Sequence, residues 1–79
     1  WNTSSVTDMG DMFQDAFDFN QNIGSWNTSN VTDMSYMFED AQNFNQNISG
    51  WNVDLVTNST NFSSGECPLT DDNRPNFDT

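Results

Sequence analysis

Between residues 26 and 50 the apolar positions are Trp26, Val31, Met34, Met37, Phe38, Ala41, Phe44 and Ile48, with polar residues filling the gaps. From Val31 to Phe44 the intervals are three and four, the rhythm of one helical face. Thr32 and Asp33 stand ahead of that run, where their oxygens can accept from the free amides of a helix start and the carboxylate meets the positive end of the dipole. The spacing predicts short helices near 8–17 and 33–42. Asn45, Gln46 and Asn47 read as a turn, and Ile48, Trp51 and Val53 mark a short extended segment. Thr3, Thr28 and Val53 share one register, and because Thr and Val are near isosteres that register is expected to face inward on a strand.

The pattern recurs. Trp1, Trp26 and Trp51 are 25 residues apart, and residues 1–25 match 26–50 at 17 of 25 positions. A period in the twenties predicts stacked coils, because one coil cannot bury its own apolar face and its neighbours must complete the core. Each coil is expected to run strand, turn, helix, turn. The third starts in step with WNVDLVTN and then departs, with Ser59 where Met9 and Met34 stand and Ser63 where Phe13 and Phe38 stand. Two full repeats and a partial third over 1–58, then a C-terminal cap segment over 59–79, are therefore expected. Phe62, Leu69 and Phe77 are candidates to cover the core from below, and with no equivalent cap read ahead of Trp1 the upper face of the first coil is expected to be apolar and open.

The residues Trp26-Asn27-Thr28-Ser29-Asn30-Val31-Thr32-Asp33-Met34-Ser35-Tyr36-Met37-Phe38, then Ala41 and Phe44-Asn45-Gln46-Asn47-Ile48, carry a resemblance. They resemble the BspA-like leucine-rich repeat family in its 25-residue surface-protein variant, first described as a domain of unknown function in mycoplasma lipoproteins. The resemblance spans residues 1–58 and implies an α/β solenoid, leucine-rich-repeat-like, with a short strand and a short helix per coil and an irregular C-terminal cap. It also implies display at a cell surface, a role in adhesion, and no shared catalytic residues. Family arrays run to many coils, so this chain is expected to be the C-terminal end of a longer array or to be stabilised by a partner stacked on its first coil.

Charge narrows the chemistry. Twelve Asp and Glu stand against one Arg, with no His and no Lys, for a formal charge of −11. That leaves no imidazole base, no amine nucleophile and no ordinary zinc site, so the chain is expected not to be an enzyme and to need no cofactor. The charge repels nucleic acid and anionic lipid, and no apolar run approaches the roughly 18 residues of a membrane-spanning helix. A sequence this polar invites disorder, but 14% aromatic residues in a regular repeat argue for a packed core. Asp8 with Asp33, and Asp15 with Asp40, pair in register. Placed on stacked helices roughly 10 Å apart they repel by only about 0.4 kcal/mol in water, so no bound calcium is required, and no EF-hand loop is present.

Asn is abundant, at 13 copies, and Asn2, Asn27, Asn30, Asn47, Asn58 and Asn61 begin N-x-[ST] sequons. Asn22 and Asn52 occupy the same register as Asn47 and Asn27 without a sequon, which favours amides that satisfy backbone groups at turns and form a ladder between coils. Asn58, Asn61 and Asn30 are the glycosylation candidates. The Trp residues, with the Phe13/Phe38 and Phe19/Phe44 columns, are expected in the core, and the Met residues fill gaps beneath the helices. Cys67 is a free thiol, a bond to a cysteine elsewhere in a longer chain, or a link between chains.

The expected function is a non-enzymatic, extracellular or cell-surface module for adhesion or recognition of a protein or glycan, through a polar face formed by Asn2, Ser4, Asn27, Ser29, Asn52 and Asp54. The alternative is a structural unit of an extracellular filament or surface layer, stacking end to end through its open first coil.

Overall fold

A computed structural model of the chain describes residues 3–77. The expectations for Trp1 and Asn2 lie outside the described residues. The backbone winds into stacked coils, held at three levels by parallel bridges from Asp8 to Asp33 and from Asp33 to Asn58. The expected helix and strand are absent: among the described residues there is no helix, and extended pairing is confined to those isolated bridges. The α/β reading is therefore corrected to coils built of turns.

The hydrogen bonds explain the difference. Met37, Glu39, Ala41 and Phe44 donate their amides three residues back, to Met34, Tyr36, Phe38 and Ala41, at 3.3, 3.3, 3.0 and 3.2 Å. The alternate amides leave the coil: Met34, Tyr36, Phe38 and Asp40 donate to the carbonyls of Asn58, Thr60, Phe62 and Ser64 at 2.7–3.1 Å. The first coil repeats the scheme, with Met9, Asp11, Phe13 and Asp15 donating to Asp33, Ser35, Met37 and Glu39. A helix spends its interior amides on its own carbonyls and has none to offer a neighbour. An isolated helix of ten residues is also marginal in water, whereas the turn chain gains a bond to the next coil at every second residue. Met34 and Met37, Phe38 and Ala41, and Ala41 and Phe44 are the buried ends of i to i+3 turns, so the apolar spacing marks the buried face correctly while the backbone differs.

Left-handed residues set the turns. Asp11, Tyr36 and Asn61 have φ of 61°, 57° and 53°, and Asp15, Asp40 and Gly65 have φ of 58°, 58° and 71°. Both series step by 25 residues. Each residue but Gly65 is the third of a turn closed by an i to i+3 bond, a position that takes positive φ in a type II turn.

The core centres on the middle coil, where Val31, Met34, Met37, Phe38, Ala41, Phe44 and Ile48 are fully buried. Thr3, Thr28 and Val53 are buried in one inward column, as their shared register predicts. The two Thr hydroxyls donate to the carbonyls of Asn27 and Asn52 at 2.9 Å, so the column also ties coil to coil. Aromatic rings stack between levels: Phe13 on Phe38 at 5.3 Å, Phe19 on Phe44 at 5.6 Å, and Trp26 on Trp51 at 6.5 Å, each near-parallel. Below them Phe62 meets Phe38 edge-on at 5.3 Å, and Phe77 meets Phe62 edge-on at 5.0 Å.

The third coil keeps its register beyond the point where its side chains depart from the repeat. Its carbonyls accept from the middle coil as far as Ser64, and the ladder resumes where Ile48 donates to Asn73 at 3.0 Å. Leu69, 25 residues after Phe44, is buried.

Candidate functional site

Among the described residues seven side chains make the same local device. Asp8, Asn22, Asn27, Asp33, Asn47, Asn52 and Asn58 each turn Oδ1 back to accept the amide two residues on, at 2.8–3.1 Å. Asn and Asp suit these corners because a short side-chain carbonyl mimics the backbone acceptor of a turn. At Ser29, Ser35 and Ser49 the hydroxyl adds a second bond to the same oxygen, at 2.6–2.7 Å. This pair of donors holds the Asp33 carboxyl below the usual carboxylate range, the amide contributing most.

Of the residues expected to form a polar face, Asn27, Asn52 and Asp54 are exposed and Ser29 is half-buried, together in one column. Ser4 is half-buried, and its carbonyl accepts from Asn30 Nδ2 at 2.7 Å. The amide ladder between coils lies elsewhere: Asn20 Oδ1 accepts from the Asn45 amide at 3.0 Å and from Gln46 Nε2 at 2.9 Å, and Asn73 Nδ2 reaches Asn45 Oδ1 at 3.4 Å. A further column was overlooked in the sequence: Gln14 Nε2 donates to Glu39 Oε1 at 2.7 Å and Ser64 Oγ to Glu39 Oε2 at 3.0 Å. Its signal was available, since residues 14, 39 and 64 share one register. Asp8 and Asp33 also differ from expectation. Instead of facing across paired helices they bridge directly, and their Oδ1 atoms lie 3.1 and 3.3 Å from where a Gly10 β-carbon would stand.

The two ends of the stack differ. In the second and third coils the carbonyls of 33, 35, 37 and 39 and of 58, 60, 62 and 64 accept from the coil above. Their counterparts at Asp8, Gly10, Met12 and Gln14 accept no backbone bond from the described residues. Beside that edge is an apolar hollow of about 230 Å³ lined by Phe13, Phe19, Gln21, Ile23 and Trp26. Met12 and Phe17 are exposed nearby in sequence, at 39% and 51%. Trp26 is thus half-buried, whereas Trp51 is buried.

The lower end holds a cleft of about 740 Å³ between the turn at Ser59–Ser64 and the segment Asp71–Phe77. Arg74, the single cation of the chain, lines it and is spoken for: it pairs with Asp71 and donates to Ser63 Oγ at 3.1 Å. Cys67 is a free, half-buried thiol whose pKa burial pushes up, against smaller opposing contributions from the Leu69 amide and Arg74. Among the described residues no three acidic or cysteine side chains gather into a metal-binding group.

A family model described as "Mycoplasma protein of unknown function, DUF285" matches residues 1–74. The chain belongs to that family. The DUF285 match runs past the end of the obvious sequence repeat, and the backbone ladder does the same, reaching Asn73. For this DUF285 chain no curated protein and no solved structure gives a match.

Proposed function

We propose that this DUF285 chain is a non-enzymatic repeat module of a cell-surface or extracellular protein, and that its upper edge docks a further coil of the same 25-residue kind. Added coils would lengthen the stack into an open-ended solenoid of turns. One observation carries this reading: the carbonyls of Asp8, Gly10, Met12 and Gln14 stand where their lower counterparts accept bonds from a coil above. The hollow formed by Phe13, Phe19, Ile23 and Trp26 lies on the same side and would take that coil's apolar residues.

The added coil belongs either to the same polypeptide or to a second copy. A copy of residues 26–50 joined ahead of Trp1 tests the first source: the extended protein should resist urea at a clearly higher midpoint and with a steeper slope, since more surface is buried cooperatively. An unchanged midpoint and slope would sink the proposal. Sedimentation of the 79-residue chain over a wide concentration range tests the second source, with association expected only if copies stack on one another.

Recognition is the second reading, favoured by the exposed column of Asn27, Asn52 and Asp54 with Ser29 beside it. Because Oδ1 of each Asn is engaged by a turn, Nδ2 is the amide group left for adhesion to a surface protein or glycan. Asn27→Asp with Asn52→Asp keeps both turn acceptors and removes Nδ2, and should weaken attachment to cells or matrix while the circular dichroism spectrum stays unchanged. Undiminished attachment would remove this face from consideration.

A further inference from the structure

Five sequons begin within the described residues, at Asn27, Asn30, Asn47, Asn58 and Asn61, and the fold treats them differently. Asn30 has committed Nδ2 to the carbonyl of Ser4 at 2.7 Å, a bond between coils that holds the nitrogen against the neighbouring backbone and away from an attacking geometry. Asn61 has a left-handed backbone, and the hydroxyl of its partner Ser63 is taken by Arg74. Asn58 receives the amide of Thr60 at 3.1 Å. Asn27 and Asn47 are exposed and receive two donors each: the amides of Ser29 and Ser49 at 3.0 Å, and their hydroxyls at 2.7 and 2.6 Å.

We propose that Asn27 and Asn47 are acceptor sites for an N-linked sugar, preorganised by the fold. In the transfer, Nδ2 bonds to the sugar C1 of a polyprenyl-pyrophosphate sugar donor. The bond from C1 to the pyrophosphate oxygen breaks, that oxygen leaves with the electron pair, and the Nδ2 proton passes to a base of the transferase. As Nδ2 releases its proton, negative charge moves onto Oδ1. Donors already aimed at an atom where charge develops stabilise that charge without reorganisation, and the two Ser residues supply two each. Thr28 and Ile48, the middle residues of these sequons, are buried, which anchors both loops, while Asn27 and Asn47 are exposed.

The test incubates the folded 79-residue chain with an N-glycosyltransferase and a synthetic polyprenyl-pyrophosphate N-acetylhexosamine, followed by peptide mapping. The same chain in urea that the transferase tolerates serves as the unfolded comparison and shows that the enzyme is active. In the folded chain, occupancy at Asn27 and Asn47 should exceed that at Asn30 and Asn61 severalfold, a preference lost in the unfolded chain. Equal modification of Asn30 in the folded chain, or none at Asn27 and Asn47, overturns the proposal.

Discussion

The indole Nε1 of Trp51 donates to the carbonyl of Ile23, 28 residues earlier, at 3.0 Å in the buried interior. This bond joins the third level to the end of the first, and it explains why the position is Trp and not another large apolar residue. Replacing Trp51 with Phe keeps much of the packing and removes one of the two bonds to the Ile23 carbonyl, which still accepts the Trp26 amide at 3.1 Å, at an expected cost of about 0.5–1.5 kcal/mol. Trp51→Ala should cost about 3–5 kcal/mol and bring so small a domain close to unfolding. Trp26→Ala should cost less than Trp51→Ala, because Trp26 is half-buried against the open hollow. Urea unfolding followed by circular dichroism orders the three variants.

Tyr36 holds φ of 57° at a level where the coil above has Asp11 and the coil below Asn61. Left-handed backbone costs an ordinary L-residue about 1–2 kcal/mol, and Asn tolerates it better. Tyr36→Asn should therefore raise stability by about 1 kcal/mol, less whatever packing the ring provides. Gly65→Ala should do the reverse, since φ is 71° and a β-carbon there would overlap Asp40 Oδ1, which accepts the Glu66 amide at 3.1 Å. Thermal melts of both variants give the two signs, and a stabilised Gly65→Ala chain would contradict the turn assignment.

The Asp33 carboxyl is held below the usual range by donors that favour its charged form. A lowered folded pKa contributes stability that is present above the unfolded pKa and fades as pH falls through the folded value. Asp33→Asn should retain the turn, as Asn58 does one level below, while removing this dependence. The stability difference between the native chain and Asp33→Asn should thus shift against the native chain on acidification below the carboxylate range. Asp33→Ala, which loses the turn acceptor altogether, should be the least stable of the three at neutral pH.

Burial raises the Cys67 pKa, so its thiolate is scarce at neutral pH. Alkylation by iodoacetamide should be slow in the native chain and accelerate on unfolding. The sign for stability is opposite to that of Asp33: a raised folded pKa gives a contribution present below the unfolded pKa and lost as pH rises through the folded value. Native reactivity equal to that of the unfolded chain would refute this account.

The sequence disclosed the period, the inward register of Thr3, Thr28 and Val53, and the buried face of Met34, Met37, Phe38 and Ala41, because burial imprints itself on side-chain identity. It concealed the backbone, because the two buried ends of an i to i+3 turn are three residues apart, a spacing that a helical face also produces. One legible clue was missed: the positions at 15, 40 and 65 are Asp, Asp and Gly, and those at 11, 36 and 61 include Asp and Asn. These residue types accept left-handed backbone, and their recurrence at the 25-residue interval marks two fixed corners in every coil. That the open first coil presents carbonyls without a backbone donor among the described residues was illegible, since backbone groups leave no trace in residue identity. The turn oxygens of Asn22, Asn27, Asn47 and Asn52 were readable from the persistence of Asn where the sequon is lost.

Eight amides, from Met9 to Asp15 and from Met34 to Asp40, all donate toward the later coil, while among the described residues only the Thr32, Thr57 and Asn58 amides point back in these stacked rows. The stack is consequently vectorial, with an acceptor-rich leading edge and donors aimed toward its trailing edge. Two leading edges brought face to face would oppose carbonyl to carbonyl and Phe13 to its own image, so a twofold-symmetric pair through that surface is disfavoured on electrostatic grounds. Growth by stacking runs head to tail, and such heterologous joining closes only if its rotation does, which makes an open rod the natural product of any assembly through this edge.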